Sequence, residues 1–158
     1  MANYLTAEEI EFLKKRSDEL FMGKTFSCGM TMLYCMSELF KLPLDQQVLD
    51  ALNGIMEHRD YRMQCGLYKG ALMFLGIYGA AKGWDRPKLN EVTKDFAAKF
   101  EEAYGSQKCY DIRGGKFQPT EPHDKCAPTT EKGVLLAADF IKGLKEELNN
   151  RQITFKEL

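Results

Sequence analysis

Residues 64–83 read Q-C-G-L-Y-K-G-A-L-M-F-L-G-I-Y-G-A-A-K-G. A cysteine opens a run of apolar and small residues, and Gly66 and Gly70 follow it about one helical turn apart. Glycine costs a helix about 1 kcal/mol relative to alanine, so two of them in the first turns call for a reason. Close packing against another helix is one reason. Access of the backbone to a bulky, non-peptide group is another. The stretch reads as a helix from Cys65 to about Lys82, with Gly83 in the C′ position. Its longest nearly uncharged run, Leu72–Ala81, is too short to span a bilayer.

The flanking sequence carries the same period. Thr6-Ala-Glu-Glu9 is a capping box, and Ile10, Leu13, Leu20 and Phe21 keep to one stripe of a first helix that Gly23 ends. A second helix is predicted from Ser27 towards Lys41, through Met30, Leu33, Tyr34, Ser37 and Leu39, with Pro43 as a stop signal. Asp45 suits the N-cap of a third, through Val48, Leu49, Leu52, Ile55 and Met56. The polar stretch His58–Met63 reads as a connection. After the quoted helix, Pro87 fits the first turn of a fifth, with Leu89, Val92, Phe96, Phe100 and Tyr104 on its apolar side and Gly105 at its end.

Residues 106–127 read as one long loop, with Gly114-Gly115, Pro119 and Pro122, and loops of that length are often functional. A last helix is expected over Thr130–Asn149, with Val134, Leu135, Ala138, Ile141 and Leu144–Leu148 inward. No run alternates with period two. The reading is all-α: residues 1–158 as a single domain, a bundle of about six helices with one long cysteine-bearing loop.

The composition, 44% apolar and 28% charged, is that of a globular chain, and the formal net charge of -1 provides no electrostatic case for nucleic acid or an anionic membrane. The N-terminal M-A-N-Y-L-T-A-E-E lacks the layout of a secretory signal, so a cytoplasmic location is expected. In such a reducing compartment the five cysteines, Cys28, Cys35, Cys65, Cys109 and Cys126, are core fillers, metal ligands or redox groups. There is no CxxC, phosphate loop, nucleophile elbow or HExxH.

Three cysteines fall at predicted helix starts. Cys28 lies in the first turn of the second helix, Cys65 opens the fourth and Cys126 just precedes the last, while Cys109 follows the fifth. Free amides at helix starts favour thiolate over thiol, so Cys65 is expected to be an activated thiolate that a partner helix or inorganic cluster approaches over Gly66 and Gly70. Cys35, in mid-helix among Leu33, Tyr34 and Leu39, reads as core. Cys28 and Cys35 stand about 10.5 Å apart along a helix and cannot bridge. A Cys109–Cys126 bridge would close the long loop and add about 3 kcal/mol. His58 and His123 read as solvated loop residues, although His123 has the spacing to complete a metal site with Cys126. Tyr68, Phe74 and Tyr78 recur at helical spacing and read as core.

These residues resemble a family of small redox-active proteins named for one cysteine, a CGAxxG motif and two further cysteines. Cys28 matches the first, Cys65-Gly66-Leu67-Tyr68-Lys69-Gly70 the motif, and Cys109 and Cys126 the last two, over roughly residues 15–145. Leu67 stands where the motif has alanine, the polar approach to Cys65 replaces a glycine-rich one, and Cys35 is outside the pattern. The family is similar in turn to the N-terminal helical domain of split-Soret cytochromes, for which a cysteine-bound iron–sulfur centre has been proposed. The lack of CxxCH here means that haem attachment is not implied. The resemblance implies that Cys28, Cys65, Cys109 and Cys126 converge on an iron–sulfur cluster that exchanges electrons with a redox partner protein. A metal-free dithiol–disulfide protein is the rival reading. A helical binding module with inert or zinc-bound cysteines is a third, and homodimer formation stays open.

Overall fold

Three of the long helices begin behind a side-chain cap. In the computed structural model, which describes residues 4–23, 27–56, 64–115 and 123–150, helix α1 (Ala7–Met22) starts behind Thr6. The Thr6 hydroxyl accepts the Glu9 amide at 3.2 Å and the Glu9 carboxylate accepts the Thr6 amide at 2.9 Å, the reciprocal box expected from the sequence. Helix α2 (Cys28–Phe40) is capped by Ser27, whose hydroxyl accepts the Met30 amide at 3.3 Å. Helices α3 (Gln46–Met56) and α4 (Gly66–Ala81) follow. Helix α5 (Arg86–Tyr104) starts behind Asp85, which accepts the Lys88 amide at 2.9 Å, and ends at Gly105 in the left-handed region, φ 76°. Among the described residues there is no strand. The connection read over His58–Met63, with His58 itself, lies outside the described residues, as do Pro119 and Pro122.

Two differences concern the long loop. It holds a single-turn helix, α6 (Cys109–Ile112), and a 3-10 turn (His123–Cys126), so Cys109 opens a helical turn rather than lying in irregular chain. One turn is too short to show a hydrophobic period, and the positive φ of Gly114 and Gly115 ends it at once. The last helix, α7 (Ala127–Asn150), begins at Ala127 and not at Thr130. Pro128 is no barrier there, because a first-turn residue needs no amide for the helix.

Helices α2 and α4 form the centre. Met32, Leu33 and Met36 of α2 and Leu67, Ala71, Phe74 and Leu75 of α4 are fully or almost fully buried. Helix α3 lies on α2, α5 on α4, and α7 touches α1, α2, α4 and α5. The α4 aromatics are core, as their spacing predicts: Tyr68 lies 5.2 Å from Phe100 and Tyr78 lies 5.6 Å from Phe40, ring centre to ring centre. No helix among the described residues is long and apolar enough to cross a membrane.

Polar ties hold α1 to the rest. The Arg16 guanidinium donates to both Glu38 oxygens, at 2.9 and 2.8 Å, and the Tyr4 amide donates to Asp139 at 2.7 Å. Lys142 of α7 donates to Glu9 of the capping box. Partial burial alone would raise the Glu9 carboxyl, but Lys142 and the Thr6 amide outweigh it and hold it below the usual carboxylate range. A lowered folded value means that the stabilisation is present above the unfolded pKa, near 4.3, and disappears as pH falls through the folded value. The melting-temperature gap between wild type and Glu9→Gln is therefore expected at neutral pH and should close in acid, as pH falls through the lowered folded value. A gap that persisted in acid would show that the ion pair is not its source.

Candidate functional site

The dipeptide Cys-Gly occurs twice, as Cys28-Gly29 and Cys65-Gly66, each time at the start of a helix. The two helices lie side by side in the same direction. At their far ends Phe40 meets Phe74 and Tyr78, with ring centres 5.8 and 5.6 Å apart. At their near ends the backbones touch. A Cβ added to Gly29 would stand 3.1 Å from the Gly66 carbonyl oxygen, and one added to Gly70 would stand 2.7 Å from the Gly29 carbonyl oxygen. Between the two reasons for glycine, the structure gives Gly70 the first: its open side is filled by Gly29 and Met32 of α2. The same approach draws Cys28, the first residue of α2, and Cys65, the N-cap of α4, to one place.

Two further segments are tied to that place. The Cys65 amide donates to the Gln107 carbonyl at 2.7 Å, which brings the chain leaving α5 across the start of α4 and into Cys109. Ser106 secures this turn, accepting the Lys108 amide at 3.0 Å and donating to Asp111 at 2.7 Å. Just beyond α6, Arg113 donates through Nη1 to the Cys126 sulfur at 3.4 Å, linking α6 to the 3-10 turn. The start of α7 is docked on the end of α5. There the Tyr104 hydroxyl donates to the Thr129 carbonyl at 2.8 Å, and the Lys132 ammonium lies 4.6 Å from the centre of the Tyr104 ring.

The thiols respond to this arrangement. Burial pushes Cys28 up to about 12, and charge on Cys65, Cys109 or Cys126 would push the same way, against the Gly29 amide. Burial pushes Cys65 up to about 11, with Cys109 and Cys126 adding to it, although the Leu67 and Tyr68 amides pull it down. The helix-start amides thus act on Cys65 as its position predicts, but burial outweighs them. As a free thiol Cys65 stays protonated at neutral pH, and the expected activated thiolate is corrected. Burial also raises the Tyr104 phenol, with Cys65 next in influence.

Cys65, Cys109 and Cys126 therefore each lie within electrostatic reach of Cys28, and Cys109 and Cys126 within that of Cys65. Cys35 does not share it: fully buried, it is raised to about 12 by burial, with Glu38 and Arg16 as its charged neighbours. None of the five cysteines is in a disulfide, so the loop-closing bridge between Cys109 and Cys126 is not formed. Among the described residues no three His, Cys, Asp or Glu side chains are placed to hold a metal ion. His123 opens the 3-10 turn, and its side chain lies outside the described residues.

Four residues of the site went unread in the sequence: Gly29, Tyr104, Arg113 and Gly133. Gly29 had a signal, the repeated Cys-Gly. Arg113 had a weaker one, four residues after Cys109. Gly133 had none, because its role depends on α7 crossing α4. A Cβ on Gly133 would stand 2.9 Å from Leu67 and 3.0 Å from the Tyr104 hydroxyl, so the glycine provides the room that Leu67 occupies in place of the motif's alanine.

No curated protein and no solved structure matches the chain. A family model does, over residues 26–140, a span that takes in all four of these cysteines and the crossing of α2 with α4. By that match the chain belongs to the family described as "Putative redox-active protein (C_GCAxxG_C_C)".

Proposed function

We propose that Cys28, Cys65, Cys109 and Cys126 form one redox site that holds an iron–sulfur cluster and exchanges electrons with a partner protein. What supports this reading is that Cys65, Cys109 and Cys126, from three other segments, each lie near enough to Cys28 to push its thiol up. Thiolates are the usual ligands of such clusters. A cluster of several irons takes one thiolate at each of several metal atoms, so it is held from a wider perimeter than a single ion. When bound, the cluster would supply one-electron chemistry.

The chain's own residues supply the rest. The amides of Gly29, Leu67 and Tyr68 and the Arg113 guanidinium offset negative charge on sulfur. Leu67 and Tyr68, both buried, keep water from the side of Cys65. Since Cys28 and Cys65 are protonated as free thiols, metal loading releases protons and is favoured by higher pH. The rival, a metal-free dithiol–disulfide pair, draws on the Arg113 contact to Cys126, which suits an attacking or leaving thiolate. A reducing compartment such as the cytoplasm suits both.

Anaerobic purification separates the readings. The expected result is brown protein with broad visible absorption, containing iron and acid-labile sulfide. Colourless protein whose free-thiol count changes by two on mild reduction would favour the dithiol. Colourless protein with zinc, or with inert thiols, would favour a structural role for the cysteines.

A further inference from the structure

The repeated Cys-Gly puts two thiols where two backbones touch. Gly29 lies against the Gly66 carbonyl and Gly70 against the Gly29 carbonyl, with no side chain between them. Helices packed through ordinary side chains stand about 8–10 Å apart, axis to axis. A disulfide needs its two Cα atoms within about 7 Å. A glycine-lined crossing meets that requirement most readily, because no Cβ holds the backbones apart.

Cys28 precedes Gly29 and Cys65 precedes Gly66, so each thiol belongs to the residue next to the contact. Cys28 is the first residue of α2 and Cys65 the N-cap of α4, and the two helices run in the same direction. Both cysteines therefore stand at the same end of the crossing. Of the three thiols whose charge acts on Cys28, Cys65 has the largest influence, ahead of Cys109 and Cys126.

The other two cysteines are joined differently. Arg113 donates its amide to the Cys109 carbonyl at 3.0 Å and its Nη1 to the Cys126 sulfur at 3.4 Å. The guanidinium takes up one side of the Cys126 sulfur, whereas the contact beside Cys28 and Cys65 is bare backbone.

We propose that in the metal-free chain Cys28 and Cys65 form a reversible disulfide across the α2–α4 crossing, with a small-molecule disulfide as the oxidant. The inference concerns the chain without metal and does not depend on the cluster reading. Cys28 is the less buried of the two and meets the oxidant first. Its sulfur bonds to one sulfur of the small disulfide, whose S–S bond breaks, and the first thiol leaves with the Cys28 proton. The Cys65 sulfur then bonds to that of Cys28, the mixed disulfide breaks, and the second thiol leaves with the Cys65 proton. Two electrons pass from the cysteine pair to the small disulfide. The new bond locks the two central helices together.

The test equilibrates the full chain, freed of metal with a chelator, in a buffer of reduced and oxidised glutathione. Remaining thiols are then capped by alkylation. Trypsin keeps the cysteines on distinguishable peptides: Cys28 falls within 25–41, Cys65 within 63–69, Cys109 within 109–113 and Cys126 within 126–132. The expected result is a disulfide-linked pair of 25–41 with 63–69 that dithiothreitol abolishes, and a higher melting temperature for the oxidised protein than for the reduced. Cys35 shares the first peptide, so Cys35→Ser should keep the link and Cys28→Ser should lose it. A link between 109–113 and 126–132 in its place, or no linked pair at any glutathione ratio, overturns the inference. Iron and sulfide in the protein as purified decide the cluster reading separately.

Discussion

Serine in place of any one of Cys28, Cys65, Cys109 or Cys126 is expected to abolish or destabilise the proposed iron–sulfur centre, and Cys35→Ser to spare it. The four belong to different segments, which only tertiary contacts join: the Gly29–Gly66 crossing, the Cys65 amide on Gln107, and Arg113 on the Cys126 sulfur. A serine hydroxyl is a far poorer ligand for iron than a thiolate, so one substitution leaves one metal position unfilled. Cys35 is fully buried, and its charged neighbours are Glu38 and Arg16. Its serine variant should pay only the modest stability loss of a buried hydroxyl for a buried thiol. Iron and sulfide per chain, with helicity measured on every variant, gives the answer. A Cys35→Ser protein that bleaches while Cys109→Ser and Cys126→Ser stay brown would confine the site to α2 and α4, and the four-cysteine assignment would fail.

The second large effect is expected at Gly70, and it is a matter of stability alone. Its missing side chain is the space taken by α2, with the Gly29 carbonyl oxygen 2.7 Å and Met32 Cβ 3.1 Å from where a Cβ would be. A backbone carbonyl cannot rotate aside as a flexible side chain can. Gly70→Ala should therefore cost about 1–3 kcal/mol by overpacking, in spite of alanine's better helix propensity. For a chain of this size that is a fall of roughly 2–12 °C in melting temperature. Gly70→Leu should be worse. Gly76 of the same helix is the control: a Cβ there meets nothing within 4 Å. Gly76→Ala should therefore raise the melting temperature, by the ordinary gain of about 1 kcal/mol. If Gly70→Ala melts as high as Gly76→Ala, the close crossing of α2 and α4 is wrong.

Much of the fold was legible because helix boundaries are local chemistry. The Thr6 box, the start at Ser27, Pro87 in a first turn and the stops at Gly23 and Gly105 each depend on side chains within a few residues of the helix end. The stripes of α1, α4 and α5 were legible for the same reason: a period of 3.6 declares its buried face. The turn at Cys109–Ile112 was not, since four residues are too few to show a period. Nor was the start of α7, where a proline was read as the approach to a helix that already contained it.

For the site, the sequence by itself determined which thiols stand at helix starts, which one is core, and that glycines follow Cys65 at helical spacing. What those glycines do was decided by the tertiary structure, because a close approach depends on the second helix, and Gly29 and Gly66 are 37 residues apart in the chain (66 minus 29). The same holds for the ionisation of Cys65. Its amides are local and could be foreseen, while its burial comes only with the tertiary fold, and burial prevails. Only the folded chain could show that the Thr31 and Thr130 hydroxyls are buried without hydrogen-bond partners, since the acceptors within reach are set by the tertiary fold.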